Sequence, residues 1–291
     1  MTLNVIKYHR WWFAISSILV IISLISMFMK GFNFGIDYTG GTIVEVVFEQ
    51  PVEVSQVRDV LKEYNLENAQ IQLSGDTTGD TSGKDVMIRT RNLESSESAA
   101  VVESLTKNIG QNTVKRIETV GAVIGSEVTE HALTNLLIAF LALAIYISYR
   151  FEYKVAISAL VAIFHDLIMV LGVFSYFQLE IDASFLAAIL TVVGYSMNES
   201  VVIFDRVREE LGGRRSNLEE VVNKSISQTL KRSINTSLTT LLAILSLYIM
   251  GVESIREFTL PLLAGITVGT YSSVCIAGSL WVILTKKLRK A

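Results

Sequence analysis

The sequence predicts a polytopic α-helical membrane protein of six transmembrane helices, with one α+β domain of about 95 residues inserted after the first. Three observations carry that prediction. First, 51% of the 291 residues are hydrophobic and only 18% charged, giving a mean hydropathy of +0.46. That exceeds the ordinary composition of a water-soluble domain. Second, the apolar residues gather into six long runs. Third, the basic residues collect in every second connection between those runs.

A helix crosses a bilayer core of roughly 30 Å with about 20 apolar residues. Six stretches meet that requirement: 11–29, 133–149, 155–177, 183–204, 233–250 and 258–284. The third holds His165 and Asp166, the fourth holds Glu199, and the other four carry no charge. Lys7 and Arg10 precede the first run as they would a signal peptide. Its apolar core is too long for one, however, and no small-x-small cleavage site follows, so it reads as an uncleaved anchor.

Orientation follows from lysine and arginine in the short connections. The amino terminus carries Lys7 and Arg10, and the second-to-third connection carries Arg150 and Lys154. The fourth-to-fifth connection, 205–232, carries Arg206, Arg208, Arg214, Arg215, Lys224, Lys231 and Arg232. The tail, 286–291, carries Lys286, Lys287, Arg289 and Lys290. Six spans place all four segments on one side, predicted to be the cytoplasm. The segment 31–130 holds 8 basic against 16 acidic residues and is predicted to lie outside. The expected organisation is therefore a first helix over 1–30, an external domain over 31–131, helices two to six over 132–285, and a basic tail.

Inside the insert, 42–48 alternates and is β-branched, and 69–73, 85–90 and 113–120 read as three more strands. Val54, Val57, Val60 and Leu61 recur at helical spacing over 54–64. A second helix is expected over 95–109, with Ser95 as its N-cap. A Gly, Ser, Thr and Asp stretch over 74–84 is expected to be a mobile loop. The order βαββαβ is that of the ferredoxin-like fold, which hosts many functions.

At the exit of the first helix stands Gly35-Ile36-Asp37-Tyr38-Thr39-Gly40-Gly41-Thr42. Adjacent glycines permit a tight turn with positive φ, and Asp37 can cap its amides, so a simple turn accounts for these residues. As a motif the segment resembles the signature turn of the SecD and SecF protein-export family. Residues 193–206, from Val193-Gly194-Tyr195-Ser196-Met197-Asn198-Glu199 to Phe204-Asp205-Arg206, are similar to the fourth-span signature of the SecF branch. Residues 228–241, around Lys231-Arg232-Ser233-Ile234-Asn235-Thr236, are similar to its fifth-span signature. One helix, one external domain and five helices match that branch over nearly the full length. The family usually places Asp after the Asn of its fourth span, where this chain has Glu199.

The resemblance implies half of an RND-type helical bundle and a protein-export accessory paired with SecD. It further implies coupling of the proton motive force to export of unfolded polypeptides through the SecYEG channel, with YajC as a further partner, in the inner membrane of a bacterial cell. A small-molecule or lipid exporter half and a non-conducting scaffold are the competing readings. No hydrolase, nucleotide-binding or redox motif is present, so no enzymatic activity, cofactor or nucleic-acid partner is expected. The histidines His9, His131 and His165 share no metal-ligand spacing. The lone Cys275 reads as a buried structural thiol.

Charged groups at bilayer depth are costly and persist mainly where they work. At about 1.5 Å per residue, Asp166 falls near mid-membrane, Glu199 in the cytoplasmic-side third, and Arg232 close to the cytoplasmic edge. Thr191, Tyr195 and Asn198 line up beside Glu199, and Thr229, Arg232 or Ser233, Thr236 and Thr240 form a stripe on the fifth span. Burial favours a neutral carboxyl group and a nearby arginine favours a charged one, so the two states can exchange. Asp166, Asn198, Glu199 and Arg232 are the expected proton relay. The bland alternatives are a structural His165–Asp166 pair and an interfacial anchor at Arg232. Gly265, Gly269, Ser273 and Ala277 form a small-xxx-small face on the sixth span, expected to pack and to carry no chemistry. An amphipathic stretch, 218–226, is expected to lie along the membrane surface, bounded by Gly212-Gly213.

Overall fold

The computed structural model describes residues 4–74, 83–212 and 217–290. Most of the expected loop at 74–84, together with Gly213, Arg214 and Arg215, lies outside the described residues. Two compact units emerge, Phe34–Ala132 and the combination of Met1–Asn33 with Leu133–Ala291.

The first unit is an antiparallel sheet with two helices. Its elements are β1 (Gly41–Phe48), α3 (Val54–Lys62), β2 (Gln70–Ser74), β3 (Asp85–Thr90), α4 (Ser95–Asn108) and β4 (Asn112–Val120). The strands lie in the order β2-β3-β1-β4, so each β-α-β crossover skips one strand, as the βαββαβ arrangement requires. Thr42 pairs Thr90 on one side and Thr119 on the other, and the β1–β4 register shifts between Glu45 and Val46. Alternation sends Val44, Val46 and Phe48 into one core with Val57, Leu61, Val101 and Leu105. A reciprocal capping box between Glu53 and Gln56 starts α3. Helix α4 starts one residue earlier than the Ser95 cap implied: Glu94 is the N-cap and Ser95 is already helical.

Before β1, Ile36–Thr39 forms a single helical turn, α2. Gly40 and Gly41 then take φ of +67° and +128°. A side chain on Gly41 would place its Cβ 2.4 Å from the Thr90 carbonyl oxygen, so the turn admits only glycine there. Gly35 is extended at φ −69° and gains nothing from lacking a side chain.

The second unit is the helical bundle. It contains α1 (His9–Lys30), the part of α5 (Ala122–Arg150) from Leu133 on, α6 (Tyr153–Phe177), α7 (Ala183–Leu211), α8 (Leu218–Met250) and α9 (Glu253–Ser272). A π turn, Ser273–Ala277, joins α9 to α10 (Gly278–Lys290), and together these make the sixth span. Among the described residues, six helices are long and apolar enough to cross a membrane. Helix α1 is polar inward and apolar outward: Ser16, Ser23 and Ser26 are buried, whereas Ile18, Ile21, Ile25 and Phe28 are exposed. That inversion suits lipid, where serines earn hydrogen bonds only on the helix-facing side. Ser26 bonds Ser175 at 3.1 Å and Ser16 bonds Tyr271 at 3.0 Å.

The stretch 218–226 is not a separate surface helix. It is the first part of α8, continuous with the fifth span, and Leu218, Val222 and Ile226 are buried. Asn223 accepts the backbone N–H of Ile6 at 3.0 Å, and Val222 and Ile226 close around Gly278. The amphipathic pattern was real, but its apolar face covers protein. Cys275 lies in the π turn and is half-buried.

Candidate functional site

Asp166 sits where α6, α7 and α9 meet, 1% exposed. Ser196 on α7 donates to its Oδ2 at 2.6 Å, and Ser272 on α9 donates to the same oxygen at 2.7 Å. His165 Nδ1 lies 3.0 Å from Oδ1. Oδ2 is therefore engaged as an acceptor, while a hydrogen can sit on either side of the Oδ1–Nδ1 contact. Both protonation states of Asp166 find partners in one geometry. The ring of His165 lies 6.4 Å from that of Tyr271, whose hydroxyl reaches Ser16 and the Trp12 carbonyl on α1. Four of the six spans thus converge on this group.

The convergence depends on small residues. Gly265 takes Val192 of α7 against its backbone so closely that a Cβ would fall 2.4 Å from Val192 Cγ2. Gly269 stands one turn further on, facing Ser196 and Asp166 Oδ2. Ser273 follows, bonding Ser200 at 3.0 Å and the Ser196 carbonyl at 3.3 Å. The small face of the sixth span therefore packs inside the bundle, against α7. Ser272, one residue before the stripe's serine, lies outside that small-residue series and bonds Asp166 Oδ2. The π turn begins directly after it, and such insertions widen a helix locally and re-aim neighbouring side chains.

Glu199 is 3% exposed and belongs to a different contact set. It faces Ser233 and Ser237 of α8 and lies in the field of Arg232. Ser237 is bonded to Thr270 at 2.7 Å and to Tyr195 at 3.4 Å. The four residues expected to act together therefore divide. Asp166 is held by α6, α7 and α9, whereas Glu199 faces Ser233 and Ser237 of α8, with the exposed Arg232 beside them on that helix. No described hydrogen bond joins Asp166 to Glu199; nearby in sequence, Ser200 bonds Ser273 at 3.0 Å, and Thr270 donates to Ser237 at 2.7 Å.

Asn198 and Arg232 point away from the bundle and are exposed, as are Thr191 and Thr236. The threonines return their hydroxyls to the carbonyl four residues back, Thr191 to Ala187 and Thr236 to Arg232. The stripe on the fifth span is thus largely self-satisfied, apart from the buried Ser233 and Ser237. The side-chain amide of Asn198 has no hydrogen-bond partner among the described residues. In the signature turn, Asp37 lies in the first turn of α2, and Thr39 bonds the Gly35 carbonyl at 3.1 Å. No cluster able to hold a metal ion occurs among the described residues.

Comparison with known proteins adds a lineage to this geometry. The family description of the protein-export membrane protein SecD/SecF, C-terminal, matches residues 101–287, and that of the SecD/SecF GG motif matches residues 25–52. The protein translocase subunit SecF of Acidaminococcus fermentans is 41% identical over 99% of both chains. SecF of Pseudomonas aeruginosa is 39% identical over 98% of this chain and 93% of its own. The crystal structure of SecDF, a translocon-associated membrane protein from Thermus thermophilus, superposes with a TM-score of 0.87 at 34% identity. It covers 99% of this chain, which spans only 39% of that longer one. With SecF subunits matching it from end to end, the chain belongs to the SecD/SecF family of protein-export membrane proteins, as a multi-pass SecF-type translocase subunit acting in protein export.

Proposed function

We propose that this subunit works with a SecD partner in the inner membrane of a bacterial cell, its termini in the cytoplasm. There it converts proton entry into help for polypeptides leaving the SecYEG channel. The observation that carries this reading is the Asp166 cluster. A carboxylate at bilayer depth, bonded by hydroxyls from two other helices, is expensive unless it does work. Gain or loss of one proton there changes how strongly the carboxyl group holds the hydroxyls of the two other helices. Each proton that crosses is worth about 2.3 kcal/mol per 100 mV, enough to shift a conformational equilibrium.

Glu199 and Arg232 supply a second acid and a base on the α7–α8 side. The exposed Asn198, Arg232 and Thr236 of that side are poorly suited to lipid. A SecD partner would cover them, and the SecDF chain named above is long enough to hold such a second half. YajC belongs to the same assembly in this reading. The domain over 31–131 is the part that meets the emerging polypeptide outside.

The test is Asp166→Asn in an assembled complex with its SecD partner, reconstituted with the channel. The expected result is loss of the proton-motive-force-dependent part of precursor export, with unenergised export and complex assembly unchanged. Energised export at the wild-type rate would overturn the relay and leave a scaffold role.

A further inference from the structure

A cleft of about 460 Å³ opens between the start of α6, the end of α7 and α10, away from the acids described above. Its size falls within the range of about 300–1,000 Å³ usual for small-molecule sites. The inner wall is apolar, formed by Phe204, Val207 and Trp281, which are at most 3% exposed. Phe204 and Trp281 meet edge to face, with ring centroids 6.4 Å apart. The rim is charged, with Arg150, Glu152 and Arg208.

What distinguishes this rim is that two of its charges have no ion pair among the described residues. Three other basic residues on this side are committed: Arg206 to Glu209 and Glu210, Lys224 to Glu210, and Lys286 to Glu219. Arg150 lies 3.3 Å from Asp205. Arg208 has no ion pair among the described residues. Glu152 occupies the N-cap position of α6, yet its side chain makes no capping bond, and it too has no ion pair there. One positive and one negative group therefore line a single cleft without meeting each other. A purely anionic ligand would leave Glu152 opposed to it, and a purely cationic one would leave Arg208 opposed.

We propose that the cleft binds a phospholipid bearing a primary amine. Arg208 takes the phosphate, Glu152 takes the ammonium, and Phe204 and Val207 receive the upper methylenes of an acyl chain. The position suits this occupant. Arg150 ends one span and Glu152 directly precedes the next, so the rim lies at interfacial depth, where headgroups are and where apolar walls beneath would otherwise be wet. A buried apolar slot with a few convergent polar groups is the usual form of a small-ligand site.

The experiment uses the full chain with its SecD partner in vesicles, with Trp281 as this chain's sole tryptophan after Trp11→Phe and Trp12→Phe. Partner tryptophan emission is subtracted with a matched Trp281→Phe sample. Brominated-chain lipids with ethanolamine, choline or glycerol headgroups are added at equal fractions, and quenching of Trp281 is read. Brominated phosphatidylethanolamine is expected to quench at the lowest fraction. Glu152→Gln should erase its advantage over the choline lipid. Arg208→Gln should raise the fraction needed for both about tenfold, the size of one lost charge-assisted hydrogen bond. Equal quenching by the three lipids would overturn the proposal, as would tighter binding of the glycerol lipid. Displacement by water-soluble glycerophosphoethanolamine at millimolar concentration would overturn the lipid assignment in favour of a free phosphate ester. Both substituted residues are at the exposed rim, and native mass spectrometry of retained lipid provides a second readout of the same ranking.

Discussion

Ser272 on the sixth span donates its hydroxyl to Asp166 Oδ2 on the third, 2.7 Å away and 106 residues apart in sequence. Ser196 completes the arrangement from the fourth span at 2.6 Å. A single carboxylate oxygen thus ties three helices together. Hydrogen bonds to a charged group are worth about 1.5–3 kcal/mol each, more than a neutral pair. When the charge is neutralised, the strength of that tie falls, and a bundle held partly by it acquires a second arrangement at low cost.

Ser272→Ala removes one donor while keeping a small side chain at a crowded place. The expected outcome is a bundle less stable by about 1–2 kcal/mol, with energised export slowed roughly tenfold and unenergised export unaffected. Ser272→Thr restores the hydroxyl and should recover most of the rate if its methyl is accommodated. The readouts are the melting temperature of the purified complex and the half-time of precursor transit in proteoliposomes. A stability loss with an unchanged energised rate would make Ser272 a packing residue only.

Glu199 offers a separate test, because its partners come from α8. Glu199→Asp shortens the arm by one methylene but keeps an exchangeable acid opposite Ser233 and Ser237. It should retain a large share of energised export. Glu199→Gln keeps the length and removes the acid, and should lose nearly all of it. Assayed side by side across a range of imposed pH gradients, the two variants separate geometry from proton chemistry. Equal activity of both would remove Glu199 from the relay.

The spans were legible because lipid imposes a long, uniform apolar run that little else in a sequence imitates. The βαββαβ order was legible for a related reason: its strands alternate strictly around Val44, Val46 and Phe48. Ser272 was not legible. A serine among Gly269, Ser273 and Ala277 looks like any other small packing residue, and only the neighbouring helix shows that it faces a carboxylate. The same limit explains 218–226, whose apolar face has the same spacing whether it covers lipid or, as here, Gly278 and the chain near Ile6. Asp166, Glu199 and Arg232 stood out by charge at depth, but their division into two clusters depends on helix rotation, which spacing along one helix does not fix.

Close approach predicts where added volume is not tolerated. A Cβ on Gly172 of α6 would lie 2.1 Å from Ser23 Oγ and 2.8 Å from Ser23 Cα on α1. Backbone, not just a movable side chain, is in the way. Gly172→Ala should therefore push α1 off α6 and cost about 1–3 kcal/mol, as overpacking does. Gly194→Ala on α7 is the control, since nothing lies within 4 Å of its added carbon. Thermal aggregation of the two purified variants should differ by several degrees; identical curves would mean that α1 shifts freely.

The last prediction concerns Glu45, fully buried on the sheet face that the helices leave uncovered. Lys115 Nζ stands 2.5 Å from its Oε1 and Arg116 Nε 2.9 Å from its Oε2. Asp85 shares Lys115 at 3.2 Å. Breaking a buried pair leaves charge without its counterpart and is costly, whereas replacing the buried member by an apolar side chain of similar volume is much less so. Lys115 is 41% exposed and recovers water readily, so the cost of losing Glu45 falls mainly on Arg116, at 19%. Glu45→Gln should lower the stability of the external domain by about 1–3 kcal/mol, and Glu45→Met by less. Hydrogen exchange of the β1 and β4 amides in the full-length protein checks this directly. Faster exchange in the Gln variant than in the Met variant supports the charge-pair account. The reverse order would show that Glu45 contributes chiefly as a hydrogen-bond acceptor that Gln can replace.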